Sequence, residues 1–102
     1  MQWYWTWSGH CFGYRSGNSL RTHDGYDICR FHVDEVYGEE GSYLGEVRND
    51  KFLITCSSKK HWRKAGFTHY APNAGYVPYV DYVGYVMYAG YEDFPSPDSF
   101  RR

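Results

Sequence analysis

Large apolar residues return at fixed intervals along the first half of the chain. Written in rows of sixteen, the sequence puts Tyr4, Leu20, Val36 and Phe52 in one column, Phe12, Ile28 and Leu44 in another, and Arg15, Phe31 and Val47 in a third. Turn residues keep step with them, as Gly9, Gly25, Gly41 and Ser57, and so does a small column of Gly13, Cys29 and Gly45. Each turn glycine follows Ser8, Asp24 or Glu40 and is flanked by extended sequence such as Tyr43-Leu44-Gly45-Glu46-Val47. That pattern predicts a β-hairpin per row. Second polar turns at Ser16-Gly17-Asn18, Val33-Asp34-Glu35 and Asn49-Asp50-Lys51 join the rows. Residues 1–58 therefore read as an all-β, up-and-down meander of four short hairpins. A lone hairpin exposes an apolar face and two open edges, so the copies are expected to pack on one another. The small column is where backbones are expected to approach closely.

A different period begins at Tyr76. Tyr76, Tyr79, Tyr82, Tyr85, Tyr88 and Tyr91 recur every third residue, with Val77, Val80, Val83 and Val86 in step behind the first four. A strand would scatter these tyrosines over both faces, whereas a threefold extended helix sorts them into one Tyr ridge and one Val ridge. At about 3.1 Å per residue the segment 76–91 reaches roughly 50 Å, longer than a domain of this size is wide. The expectation is an extended segment docked across a neighbouring subunit as well as its own, with Tyr76, Tyr79, Tyr82, Tyr85 and Tyr88 as interface residues. Between the two periodic regions lies a basic loop or linker, 59–75. Residues 92–102, with Pro95 and Pro97, read as a polar, irregular tail. The whole makes one domain.

Composition supports the β reading. Tyr, Phe and Trp make up 22% of the 102 residues, against three Leu, two Ile and seven Val, so the core must be largely aromatic. Such residues suit a pleated, half-buried surface, and eleven glycines supply the turns. The segment from Ser57 to Gly66 carries too few apolar residues for a helix face and reads as a loop or single turn. A net charge of -1 gives no global attraction to polyanions. Residues 1–7 lack the basic and aliphatic regions of a signal peptide, and Cys11, Cys29 and Cys56 form no CxxC pair, so a cytoplasmic address and unpaired thiols are expected.

The residues Trp7-Ser8-Gly9 leading to Phe12-Gly13-Tyr14, Asp24-Gly25 leading to Ile28-Cys29-Arg30-Phe31, and Glu35-Val36-Tyr37 leading to Gly41-Ser42-Tyr43-Leu44-Gly45-Glu46 resemble the 4-fold β-flower family. The resemblance covers about residues 4–57. It implies four hairpin petals around an approximate fourfold axis, a bacterial setting and no established activity. Cys29 stands where the other units have Gly13 and Gly45, and Ser57 replaces the fourth turn glycine, so the fourth petal is expected to be irregular.

Chemistry is sparse. His10, His23, His32, His61 and His69 occupy different places in the sixteen-residue frame and show no ligand spacing, so no metal or cofactor is expected. Asp34, Glu39 and Glu40 sit at turns, and Glu35 and Glu46 beside strand residues. No nucleophile elbow, phosphate loop or HExxH segment is present, so no catalytic residue is assigned. Lys59, Lys60, Trp62, Arg63 and Lys64 combine cations with an aromatic, the combination that grips single-stranded nucleic acid. Trp3, Trp5 and Trp7, with the tail tyrosines, offer faces for a small aromatic or cationic ligand. A membrane partner is not expected, because Pro78 and Asp81 interrupt the tail. The favoured expectation is a non-enzymatic interaction module forming a homo-oligomer, a dimer or tetramer. Small-ligand binding and nucleic-acid binding are the alternatives.

Overall fold

A computed structural model describes residues 1–100. Seven strands follow one another as a meander: β1 (Gln2–Thr6), β2 (Cys11–Ser16), β3 (Ser19–Thr22), β4 (Asp27–His32), β5 (Glu35–Gly38), β6 (Tyr43–Arg48) and β7 (Phe52–Cys56). Every consecutive pair is antiparallel, and β1 also pairs with β7 through Trp5 opposite Phe52 and Thr6 opposite Leu53. That last pairing closes the sheet into a barrel. It is parallel because an up-and-down meander with an odd number of strands starts and ends in the same direction. Closure removes the open edges that isolated hairpins would expose.

Strand alternation sorts the side chains, interrupted in β4 where the register shift that skips Ile28 leaves it and Cys29 in the same cluster. Tyr4, Phe12, Leu20, Ile28, Cys29, Phe31, Val36 and Leu53 form the inner cluster, while Trp5, Trp7, Cys11, Phe52 and Ile54 form an outer one. Tyr4, Leu20 and Val36, which share a column of the sequence, lie in the inner cluster, but Phe52 does not. Phe52 faces outward and its neighbour Leu53 takes the inner place, because a one-residue slip turns every side chain to the opposite face. Register shifts interrupt the ladders between Tyr4 and Trp5, Leu20 and Arg21, and Val36 and Tyr37.

The fourth hairpin is not completed locally. After β7 the chain leaves the sheet through a short 3-10 turn, Ser57–Lys59, and its pairing strand β8 (Tyr91–Asp93) arrives only after the whole tail, with Cys56 opposite Tyr91. Residues 92–100 are also not the polar appendage that their prolines suggest. Phe94 is 2% exposed within the inner cluster, edge-on to Phe12, and Phe100 from the 3-10 turn Pro97–Phe100 stacks on it. Small residues admit it: a Cβ on Gly45 would lie 2.5 Å from the Phe94 ring. The last two positions of that predicted tail fall outside the described residues. Among the described residues no helix is long and apolar enough to cross a membrane.

Candidate functional site

Between Ser57–Lys59 and β8 the chain makes no strand of its own and wraps the outside of the barrel as a belt. It is fastened at each hairpin turn. The N–H groups of Lys64, Asn73 and Tyr82, nine residues apart, donate to the carbonyls of Gly41, Gly25 and Gly9, sixteen apart, at 2.8, 3.0 and 2.8 Å. Three residues further on, Phe67, Tyr76 and Tyr85 donate to Glu39, His23 and Trp7. The belt thus runs against the order of the hairpins. Its last fastening is at the fourth unit, where Ser57 donates to Gly90 beside β8.

Contact this close needs glycine on both sides. A Cβ on Gly9 would stand 2.0 Å from the Tyr82 carbonyl oxygen, and one on Gly84 2.5 Å from that of Ser8. Gly25 with Gly75, and Gly41 with Gly66, are likewise closed against belt and turn. The sequence did hold a signal for this arrangement: Ala65-Gly66-Phe67, Ala74-Gly75-Tyr76 and Val83-Gly84-Tyr85 are spaced by nine. Reading the tail only in threes hides that longer period, because nine is a multiple of three.

The period of three does sort the tail. Tyr79 packs on Trp3 and Trp5, Tyr82 on Trp5 and Phe52, and Tyr85 and Tyr88 on Trp7, while Tyr76 meets Trp3 and Tyr14. The Trp5 and Trp7 indole N–H groups donate to the carbonyls of Val80 and Val86. Both tryptophans are buried, and Trp3 is half-buried. The five tail tyrosines therefore lie on their own barrel. The 50 Å length does not force them onto a neighbour, since the segment curves around the wall instead of crossing it. On the other side stand Val77, Val80, Val83 and Val86, exposed by 88, 87, 94 and 88%.

Polar crosslinks complete the belt. Asp81 accepts from the Cys11 N–H and holds His10 at 3.0 Å; those bonds, the Cys11 one foremost, keep its carboxyl below the usual range. Further round, buried Asp27 binds Arg30, the Ser19 hydroxyl and the Tyr70 N–H. Burial alone would raise the Asp27 pKa, but these donors override it and hold the group below 3.8. The Arg30 guanidinium lies between two belt rings, 3.9 Å from Phe67 and 4.1 Å from Tyr70.

The basic segment is largely committed. Lys59 bridges Glu35 at 3.1 Å and Glu46 at 2.9 Å, with Tyr37 and Tyr43 hydroxyls donating to the same two carboxylates. The bond to Glu46 leads in raising the Lys59 pKa, ahead of the opposing effect of burial. Lys60 pairs with Glu92 at 2.8 Å and Lys64 lies over Tyr37, while the backbone of Arg63 forms a β-bridge with Ser42 and its side chain is exposed. Trp62 is 41% exposed and carries Lys59 over its ring. Compared with protein-family models, curated proteins and solved structures, the chain matches none. Among the described residues no group of three or more His, Cys, Asp and Glu is placed to hold a metal ion.

Proposed function

We propose that the chain is a non-enzymatic interaction module that pairs with a second copy of itself through the outward valine row of the belt. The row carries the reading: four side chains about nine-tenths exposed, three residues apart, on a segment fastened to the barrel along its length. Along the chain, Val77 to Val86 covers a contour of roughly 28 Å at about 3.1 Å per residue. Contiguous apolar surface of this kind is uncommon on a monomer and marks an interaction face.

Charge argues for an identical partner. Between Tyr76 and Gly90 the one charged side chain is Asp81, and its carboxylate is engaged with His10 and the Cys11 amide. The row thus offers a charged partner nothing to recognise, and it sets no like charges against each other when two copies meet. An identical row laid antiparallel nests each valine between two others, the self-complementarity a two-fold interface requires. The half-exposed tyrosines flanking the row widen the contact toward the roughly 800 Å² per partner of a stable interface.

The approximate fourfold arrangement belongs to the same proposal, supported by belt fastenings at Gly41, Gly25, Gly9 and Ser57. Three free buried cysteines favour a reducing compartment such as the cytoplasm. Nucleic-acid binding through residues 59–64 is the weaker reading, since Lys59 and Lys60 are held by carboxylates.

Sedimentation of the full chain up to about 100 μM tests the pairing. The expected result is a dimer that becomes monomeric on Val80→Asp with Val83→Asp, its circular dichroism unchanged because both sites are exposed. A wild-type monomer throughout that range, or a dimer indifferent to the two substitutions, overturns it.

A further inference from the structure

Indole and phenol rings form one continuous layer between the barrel wall and the belt. Trp3 meets Tyr79 at 4.8 Å between ring centres, and Tyr79 meets Trp5 at 6.2 Å. Trp5 in turn lies 4.8 Å from Tyr82, and Phe52 stands between Tyr82 and Tyr85 at 5.6 and 5.0 Å. Tyr85 and Tyr88 close on Trp7 at 4.7 and 5.4 Å. These are packing distances. Tryptophan and tyrosine are also the aromatic side chains that give up one electron, and electron transfer falls off exponentially with separation. Rings in contact therefore pass a missing electron from one to the next.

The two ring types differ in what becomes of the proton. Trp5 and Trp7 are 7 and 1% exposed, and their indole N–H groups donate to the Val80 and Val86 carbonyls, both at 3.1 Å. A carbonyl is too weak a base to take that proton, so an indole that loses an electron here stays a buried cation, which is costly. Tyr79 and Tyr85 are 56 and 47% exposed. A phenol beside water sheds its hydroxyl proton as it loses its electron and ends neutral. That difference drives the vacancy outward, from indole to phenol. Charge then selects among the phenols. The Lys51 ammonium lies 4.4 Å from the Tyr82 ring centre and donates to its hydroxyl, and the Arg48 guanidinium lies 5.7 Å from the Tyr88 ring centre. A positive charge opposes the arrival of another. Among the described residues no lysine or arginine lies over the ring of Tyr79 or Tyr85.

We propose that this layer carries one-electron oxidising equivalents out of the barrel, from Trp5 to Tyr79 and from Trp7 to Tyr85. An oxidising radical of the hydroxyl or carbonate type takes one electron from the Trp7 indole and is itself reduced. One electron then passes from Tyr85 to Trp7, which restores the indole, while the Tyr85 hydroxyl proton goes to water. The neutral phenoxyl is left at the surface, where a thiol or ascorbate returns one electron and one proton. Trp5 and Tyr79 follow the same course.

Flash photoionisation with light absorbed by indole but not by phenol creates the indole cations in place, a cobalt(III) ammine complex capturing the ejected electron. Applied to the full chain carrying Trp62→Phe, it addresses Trp3, Trp5 and Trp7 alone. The expected result is a tryptophanyl absorption that decays as a tyrosyl absorption rises, at a rate independent of protein concentration. Tyr79→Phe with Tyr85→Phe keeps both rings and should slow the decay by about tenfold. Tyr70→Phe, on the stretch of belt that packs on Arg30, should leave it unchanged. Absence of tyrosyl growth, or growth at a rate proportional to protein concentration, overturns the proposal before any phenol is changed. A double variant that transfers as fast as its parent overturns it as well.

Discussion

Gly25 and Gly75 lie back to back where belt meets hairpin: a Cβ on Gly25 would stand 2.2 Å from the Asn73 carbonyl oxygen, and one on Gly75 3.1 Å from that of Asp24. The same relationship at Gly9 and Gly84 is tighter on the belt side, and Gly84 has no positive φ. A substitution there meets steric conflict alone. Gly84→Ala is expected to cost about 2–3 kcal/mol, as overpacking does. Gly17 has a φ of 60 with nothing within 4 Å of an added Cβ, so Gly17→Ala should cost only the left-handed backbone penalty, about 1 kcal/mol. Denaturant unfolding of both variants checks the difference; equal costs would mean the belt yields freely at its fastenings.

Val33 stands in the turn between His32 and Glu35 with a φ of 59, and it is 87% exposed. A positive φ at the first central residue of a two-residue hairpin calls for glycine, which Gly17 supplies two turns earlier, and a β-branched side chain is strained there. Since almost none of the valine surface is buried, removing it loses little. Val33→Gly should therefore stabilise the protein by about 1 kcal/mol, raising Tm by about 5 °C in a thermal melt. A lower Tm would show that the side chain has a partner the turn geometry does not reveal.

The sequence pattern carries those turns and the inner places of Tyr4, Leu20 and Val36, because pleat and hairpin leave a local period. It carries the division of tyrosines from valines for the same reason. Barrel closure is not legible, since nothing near Trp5 or Phe52 encodes a pairing across some fifty residues. The insertion of Phe94 is hidden as well: one aromatic among prolines and acids has no period.

Arg30 and Asp27 form a buried pair, and removing one partner leaves the other charge without compensation. Arg30→Ala should cost about 3–5 kcal/mol. Arg30→Lys should recover little of it, since an ammonium cannot lie flat between Phe67 and Tyr70 while bonding Asp27. The pair also sets the acid limb. The folded Asp27 pKa lies below 3.8, so its stabilising contribution is present above that value and is lost as pH falls through the folded one. Asp27→Asn should flatten the fall in stability below about pH 4 in acid titrations. An unchanged slope would assign the acid limb to other carboxylates.

Glu35 and Glu46 are directly opposed in the β5–β6 register, and Lys59 lies against both. Without the ammonium, two like charges face each other across the ladder. Lys59→Met should lower stability at pH 7 by about 1–3 kcal/mol. The Lys59 pKa is raised above 10.5, so its contribution holds below that value and fades only as pH rises through the folded pKa. The Glu35 pKa is lowered from 4.5, since the bonds from Lys59 and Tyr37 outweigh burial, so its contribution holds above 4.5 and fades in acid. The gap between wild type and variant should therefore be widest between about pH 5 and 10 and close on both sides. A gap independent of pH would mean that lost packing, not charge, is being measured.

The three thiols differ in environment although all are buried. Cys29 is fully enclosed in the inner cluster, and burial pushes its pKa far up. Burial likewise raises Cys11, with Asp81 nearby adding to the effect. Cys56 is the exception: its sulfur lies 3.3 Å from the Ser58 hydroxyl, whose hydrogen bond favours the thiolate and lowers the pKa, and the residue keeps 9% of its surface. Thiolate fraction and access both set the alkylation rate. Cys56 should react first with iodoacetamide at neutral pH, Cys11 more slowly, and Cys29 only through unfolding, so that its rate tracks denaturant. Peptide mass spectrometry over a time course reads this order directly. Ser58→Ala should slow Cys56 without altering the rate of Cys29, separating the hydrogen bond from general loosening of the fold. Labelling of Cys29 as fast as Cys56 would mean that the barrel opens far more often than its closed sheet and inserted Phe94 imply.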